Sequence, residues 1–525
     1  MQRRYFLYVA GSSLVALQSD RCLQSTYAFI KTDQSIEIRA FFPHGELFPK
    51  DSLKRLYFLT LQDEPLPSPE YSVEDGLLVC RAPSRLPVSI ALQFHVDGFG
   101  NITLYADNQG QGFTPGDFPV VLNQAFARDR IHRVTRTLFQ WQAQGYRFPE
   151  MIHQRLEKAQ TLFQQGEESN TLTAKIRFWN DSLSQALWAG EELSLSRARQ
   201  RIVGSEPRHG FKFGCNAFAH PSSGPDYDRY FEALFNYATV PFYWNSFEPE
   251  PGSPGFDQVD QQINWLQNAG ITPKGHPLVW FHQASVPDWI RDRPYGAVKA
   301  ALRQRILDIT RYYEDRILYY DVINEAHGVP WANELGYDDE QLLDLTRMAC
   351  NAAKQGDPKL QRIINNCCLW ARQVALNGPP IRSPFQYMQA CQEANISFEI
   401  IGLQLYYPHQ DIFEIDRMLD RFTVFGKPIH ITEMAVSSNT GTDEDSLLGK
   451  AYGLWHAPWN ETIQADWAEQ VYTLAYSKPE IEAVTWWDFS DNNTFWPFGG
   501  LLNDENQPKL AYYRLQTLLQ SWGLG

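Results

Sequence analysis

Two glutamates stand where apolar runs stop. Glu325 ends LYYDVINE (318–325), directly after Asn324, and Glu433 lies near the end of PIHITEM (428–434), directly after Thr432. Apolar, β-branched and aromatic runs of this length read as buried strands. A carboxylate at the end of such a strand is partly desolvated, which tunes its pKa. Two such groups, one ionised and one protonated, supply double displacement at an acetal carbon. One attacks the anomeric carbon; the other protonates the leaving oxygen and then deprotonates water. The chain carries 61 acidic residues, and a strand-end glutamate also serves as a cap or an ion-pair partner. The pairing by itself leaves both readings open.

The elements that must hold these groups repeat with a strand–helix rhythm. Strand-like runs appear at 211–218, 235–242, 273–280, 318–325, 362–367, 399–406, 428–434 and 483–490. Most intervening stretches have helical spacing, such as VDQQINWLQNAG, VKAALRQRILDITRYYEDR and DDEQLLDLTRMACNAAKQG. Eight strands alternating with helices predict an α/β fold, a (β/α)8 TIM barrel over 204–525, with its chemistry at the C-terminal strand ends.

Before the barrel the texture differs. Residues 23–120 hold short β-type runs (SIEIRAFF, RLYFLTL, GLLVCRA, VSIALQFHV) broken by Pro, Gly and Asp clusters, which predicts a β-sandwich-like domain. Such a domain fits either a glycan-binding module or a purely packing one. Residues 121–203 read as a helical segment whose basic residues alternate with Glu, the pattern of a solvated face. Residues 1–22 carry Arg3-Arg4 and then a mildly apolar stretch, like a twin-arginine export signal, although no clear A-x-A site follows. Export to a periplasmic or extracellular location is therefore expected, with a cytoplasmic location as the alternative.

Composition sets the outer limits. The 525 residues carry a net charge of −15, a poor match for nucleic acid or anionic lipid, and no apolar run is long enough to span a membrane. Aromatic residues reach 14%, which suits a large core and equally a sugar-stacking surface. Seven cysteines show no CxxC or metal spacing; Cys367 and Cys368, in RIINNCCLW, read as core. No cofactor and no metal is expected. A metal-dependent hydrolase built on His276, His282, His327 or His430 finds no ligand motif in their spacing.

The stretch 211–513 resembles family 10 glycoside hydrolases, (β/α)8 enzymes best known as endo-β-1,4-xylanases. The resemblance rests on blocks in order: FKFGCNAF, FEPEPGSPGFDQVDQQINWLQNAGITPKGHPLVW, DVINEAHG, GKPIHITEMAV and AVTWWDFSDNNTFWPFGGLLNDENQPKLAYYRL. It implies Glu325 as acid/base and Glu433 as nucleophile. It also implies that Asn324 binds the 2-hydroxyl of the −1 sugar, that His276 and Trp280 wall that subsite, and that Gln404 sits near the nucleophile. Trp487 and Trp496 would be aromatic platforms above the donor sugar.

Departures from the family pattern are concentrated on the glycone side. Where an E-N-x-x-K-W block is usual, this chain has TVPFYW: Thr239, Val240 and Tyr243 replace the polar positions and only Trp244 is kept. Phe281 replaces a common His, with His282 next to it, and Tyr406 replaces the His of Q-x-H. The expected partner is a β-linked polysaccharide or oligosaccharide, xylan-like by resemblance. The alternatives are a family 10-like enzyme for a non-xylan glycan and a non-catalytic glycan-binding protein on the same barrel.

Overall fold

The computed structural model describes residues 35–524 except 54, 68–70, 75–76, 82–85, 117–118, 377–381, 407–408, 452–453 and 493. The export-signal expectation for 1–22 therefore falls outside the described residues. The chain forms two compact units. Among the described residues, one comprises those up to 204 with those of 407–416 and 439–463; the other comprises those of 205–406, 417–438 and 464–525. Among the described residues no helix is long and apolar enough to cross a membrane.

The second unit is a closed barrel of eight parallel strands. They are β1 (Lys212–Asn216), β2 (Tyr237–Pro241), β3 (Thr272–His276), β4 (Tyr319–Asn324), β5 (Gln361–Asn366), β6 (Ile400–Gln404), β7 (Ile429–Met434) and β8 (Ile481–Trp486). Each pairs with its sequence neighbours, and β8 returns to β1. All eight lie within or overlap the runs read from sequence. Those runs are legible because a parallel strand is covered on both faces and so stays apolar along its length. Helix Asp339–Gly356, which follows β4, is started by a reciprocal capping box. Asp338 Oδ1 accepts from Gln341 N (2.8 Å), and Gln341 Oε1 accepts from Asp338 N (3.0 Å).

Register slips break the ladders near the mouth. The β4–β5 pairing shifts between Asp321 and Ile323, β6–β7 between Leu403 and Gln404, and β7–β8 between Ile431 and Met434. Bulges of this kind re-aim side chains, and these sit beside the two glutamates.

The first unit has two sheets. One contains strands Ser35–Arg39, Tyr71–Glu74, Leu77–Arg81 and Val120–Val121; the other contains Tyr57–Leu59, Ser89–Val96 and Gly100–Ala106. Helices Leu122–Ala143, Glu150–Glu168 and Leu172–Val203 follow. Ile36, Ile38, Ile90, Leu92 and Ile102 share one core with Phe126, Ile176, Trp179 and Leu183 of the first and third helices. Sheets and helices thus bury their apolar faces against each other.

Candidate active site

Glu325 and Glu433 are both buried, each 5% exposed, at the ends of β4 and β7. Neither reaches its position by plain strand geometry. Successive residues of a strand point to opposite faces, yet Thr432 and Glu433 both bond Asn365 of β5. The Thr432 hydroxyl donates to Asn365 Oδ1, and Asn365 Nδ2 donates to Glu433 Oε1 at 3.0 Å. The slip in the β7 ladder makes this possible. At the other carboxylate the device is a left-handed backbone: Glu325 has φ +56°, so Asn324 and Glu325 both accept from Gln404 Nε2, at 3.2 and 2.8 Å. A non-glycine residue in that region is strained, on the order of 1–3 kcal/mol, and is held there by its surroundings. Glu325 N donates to Asn365 O (2.9 Å), which fixes the turn.

Asn365 ties the site together, since its Nδ2 also donates to Asn324 Oδ1 at 2.8 Å. Gly402 of β6 makes room for it: a Cβ there would meet Asn365 Oδ1 at 2.6 Å. The remaining bonds differ between the two carboxylates. Glu325 Oε2 accepts from Trp280 Nε1 at 2.8 Å, whereas Glu433 Oε2 accepts from the Tyr406 hydroxyl at 3.2 Å. His276 Nε2 lies 4.0 Å from Glu433 Oε1. Its Nδ1 is 2.7 Å from Asp321 Oδ2, which also receives Lys274 Nζ at 2.8 Å. Lys274 and Asp321 are fully buried, and the Lys274 charge with the hydrogen bonds of His276 and Lys274 holds Asp321 below the usual carboxylate range in spite of its burial.

Burial pushes both glutamates up to about 7. Against that rise, Gln404, Trp280 and Asn324 donate to Glu325, while the charges of His276 and Lys274 pull Glu433 back down. The charge of Glu325 adds to the rise at Glu433. Glu433 has charges of both signs around it: His276 and Lys274 lower it, and Glu325 and Asp321 raise it. The arrangement can therefore present one carboxylate and one carboxylic acid to a bound acetal.

Around the pair stands an aromatic wall. Tyr243 packs against Trp280 and edge-on to His276, both at 5.7 Å, and Phe218 meets Tyr243 and Trp487 edge-on at 6.0 and 5.6 Å. His282 stacks on Trp280 at 4.4 Å, and burial lowers its pKa to about 4.

The structure brings Glu325, Glu433, Asn324, His276, Trp280, Gln404 and Tyr406 into one network. Trp487 joins it through an edge contact with His276 at 5.2 Å. Trp496 is fully buried, stacked on Tyr406 at 5.7 Å, with its indole N–H on Ser437 Oγ at 3.1 Å. Trp244 points its indole N–H at Glu248 Oε2 (2.9 Å) and packs edge-on to Trp289. The sequence reading missed Asn365, Lys274 and Asp321. Their signal was a polar residue interrupting or ending an apolar barrel strand.

The model of glycosyl hydrolase family 10 matches residues 207–518. Endo-1,4-beta-xylanase 1 of Arabidopsis thaliana is 25% identical over 323 residues, covering 60% of this chain and 31% of its own. A beta-1,4-xylanase of Dictyoglomus thermophilum is 23% identical, with 52% and 78% covered. An anti-sigma-I factor of Acetivibrio thermocellus is 22% identical, with 60% and 38% covered. The chain thus spans about a third of the length of the Arabidopsis relative. Among solved structures, xylanase 10B of Thermotoga petrophila in complex with xylobiose aligns with a TM-score of 0.48 at 20% identity, covering 60% of this chain and 98% of that one. With the family model covering more than half its length, the chain belongs to glycosyl hydrolase family 10.

Proposed function

We propose that the chain is a retaining glycoside hydrolase acting on a β-linked glycan. The observation that carries this reading is the pair of buried strand-end carboxylates cross-linked through Asn365, which bonds Glu433, Asn324 and the Glu325 backbone. Glu433 attacks the anomeric carbon as Glu325 passes its proton to the departing glycosidic oxygen, and the C–O bond to the leaving group breaks. Glu325, now a carboxylate, takes a proton from water; the water oxygen attacks the same carbon and releases Glu433. Asn324, held by Asn365 and Gln404, presents its amide to the 2-hydroxyl of the −1 sugar. Trp280 keeps Glu325 aimed at the leaving oxygen.

The glycan is xylan-like in backbone, as in the relatives named as xylanases, but recognised differently on the glycone side. Thr239 and Val240 are fully buried, and Tyr243 puts an aromatic ring where the family pattern has a lysine. Each lost hydrogen bond to a sugar hydroxyl removes about 0.5–1.5 kcal/mol, and more for a charged partner. Three together lower kcat/KM on plain xylan by roughly 100-fold or more. The test is a hydrolysis screen over β-linked glycans, with NMR detection of the first-formed anomer and Glu433→Gln as control. Retention of β-configuration, with unbranched xylan a weak substrate, is expected. An α-anomer as first product would contradict the mechanism, and binding without hydrolysis on every glycan would contradict the enzyme.

A further inference from the structure

Two residues beyond Glu325 and two beyond Asn365, the chain brings together three soft ligands. Cys367 Sγ lies 3.4 Å from His327 Nε2 and 3.1 Å from Cys368 Sγ, and the ligand atoms of all three fall within 4.8 Å of one another. All three residues are buried. Adjacent residues in an extended chain point apart, so a Cys-Cys pair leaving a strand should separate its sulfurs. Here Cys368 adopts φ +57°, in the left-handed region that side chains other than glycine rarely take. The two sulfurs are thereby turned to the same side, toward His327.

We propose that His327, Cys367 and Cys368 form a binding site for one zinc ion, bridging the ends of β4 and β5. Zinc bonds to sulfur at about 2.3 Å and to imidazole at about 2.0–2.1 Å. Tetrahedral angles then place a sulfur and a nitrogen about 3.5 Å apart and two sulfurs about 3.8 Å apart. The Cys367–His327 separation already matches. The two sulfurs must open by about 0.7 Å, which rotation about a Cys side-chain bond supplies. Two thiolates and a neutral imidazole around Zn2+ make a centre without net charge, suited to its apolar neighbours Val329 and Ala332. A thiolate–imidazole set selects zinc over the hard cations magnesium and calcium. A Cys367–Cys368 disulfide is the poorer occupant. Consecutive Cα atoms are about 3.8 Å apart, below the 4.4–6.8 Å that an unstrained disulfide spans. The ion would brace the two strand ends that carry Glu325 and Asn365.

The experiment uses the full chain, reduced and metal-free, titrated with Cd2+ as a spectroscopic probe and with Zn2+ against a chromophoric chelator. One Cd2+ per chain is expected, with thiolate-to-cadmium charge-transfer absorption that Zn2+ abolishes. Cys367→Ser and Cys368→Ser each remove about half of that band, since each thiolate contributes one ligand. His327→Ala loses its hold on Zn2+ against the chelator, while Cys22→Ser and Cys391→Ser leave the titration unchanged. X-ray absorption of the zinc-loaded wild type, which needs no variant to fold, should show two sulfur ligands and at least one imidazole. A missing band, a band that survives both serine variants, or a shell of oxygen and nitrogen alone would overturn the site.

Discussion

At the residue scale the division of labour rests on what surrounds each carboxylate. Tyr406 stands where family 10 commonly has a histidine, and its hydroxyl donates to Glu433. Burial beside Glu433 holds the phenol well above its ordinary range, so it stays a neutral donor at every working pH. Tyr406→Phe should therefore cost Glu433 a donor and lower kcat/KM by roughly 10- to 100-fold, from about 1.5–3 kcal/mol for a hydrogen bond to a charged group. The acidic limb of the pH–rate profile should move up. Tyr406→His should add a titration near pH 6–7, the range of an ordinary imidazole, readable in the same profile. An unchanged rate and profile for Tyr406→Phe would remove it from the site.

Stability carries a second prediction at this scale. Burial lifts Glu325 from an ordinary 4.5 to about 7. Below pH 4.5 the group is protonated in both folded and unfolded chains and contributes no pH-dependent term. Between 4.5 and 7 the unfolded chain releases a proton that the folded chain keeps, so stability falls as pH rises, and the full penalty is present above 7. Glu325→Gln should remove that penalty, raising stability at pH 8 by on the order of 1–3 kcal/mol relative to its effect at pH 4.5. Thermal melts of both proteins at the two pH values decide it.

At the element scale, the barrel and its polar mouth were legible for different reasons. Parallel strands announce themselves as unbroken apolar runs, and the glutamates ending two of them stood out by contrast. The devices that aim those glutamates have no local pattern. The ladder slips at β7 lie in its pairing with β6 and β8, and the left-handed turn at Glu325 is held by Asn365 of β5 and Gln404 of β6. Asn365 was missed because an Asn-Asn pair after an apolar run reads equally as a turn. Trp496 and Trp244 show the converse: a tryptophan's place in a motif leaves open whether its face is presented or buried. Gly402 tests the element-level account. Gly402→Ala puts a methyl 2.6 Å from Asn365 Oδ1 and 2.9 Å from an Ile363 methyl, so Asn365 must shift while both carboxylates remain. A fall in kcat/KM of about 10- to 100-fold, the scale of one lost charged hydrogen bond, is expected. Wild-type kinetics in Gly402→Ala would deny Asn365 its positioning role.

At the scale of the whole molecule, the resemblance read from sequence covers the barrel and stops there. Residues 407–416 and 439–463, which follow β6 and β7, group with residues 1–204, an arrangement no periodicity reveals because its contacts span hundreds of residues. Arg130 pairs with Asp411 inside that unit with both side chains buried, and Arg133 meets Glu414 at 2.9 Å. Arg130→Met should take from Asp411 its charged partner and lower stability by about 3–5 kcal/mol, the scale for breaking one side of a buried pair. Denaturant unfolding measures it, and a loss under 1 kcal/mol would show the pair to be dispensable. The central claim, that Glu433 is the nucleophile and Glu325 its acid/base partner, is tested most directly by azide rescue. Glu433→Ala is assayed on the aryl β-glycoside that the wild type cleaves best, with and without azide. No turnover is expected without azide, and an α-glycosyl azide, inverted at the anomeric carbon, is expected with it. Rescue that yields a β-glycosyl azide, or inverted product from Glu325→Ala instead, would contradict it.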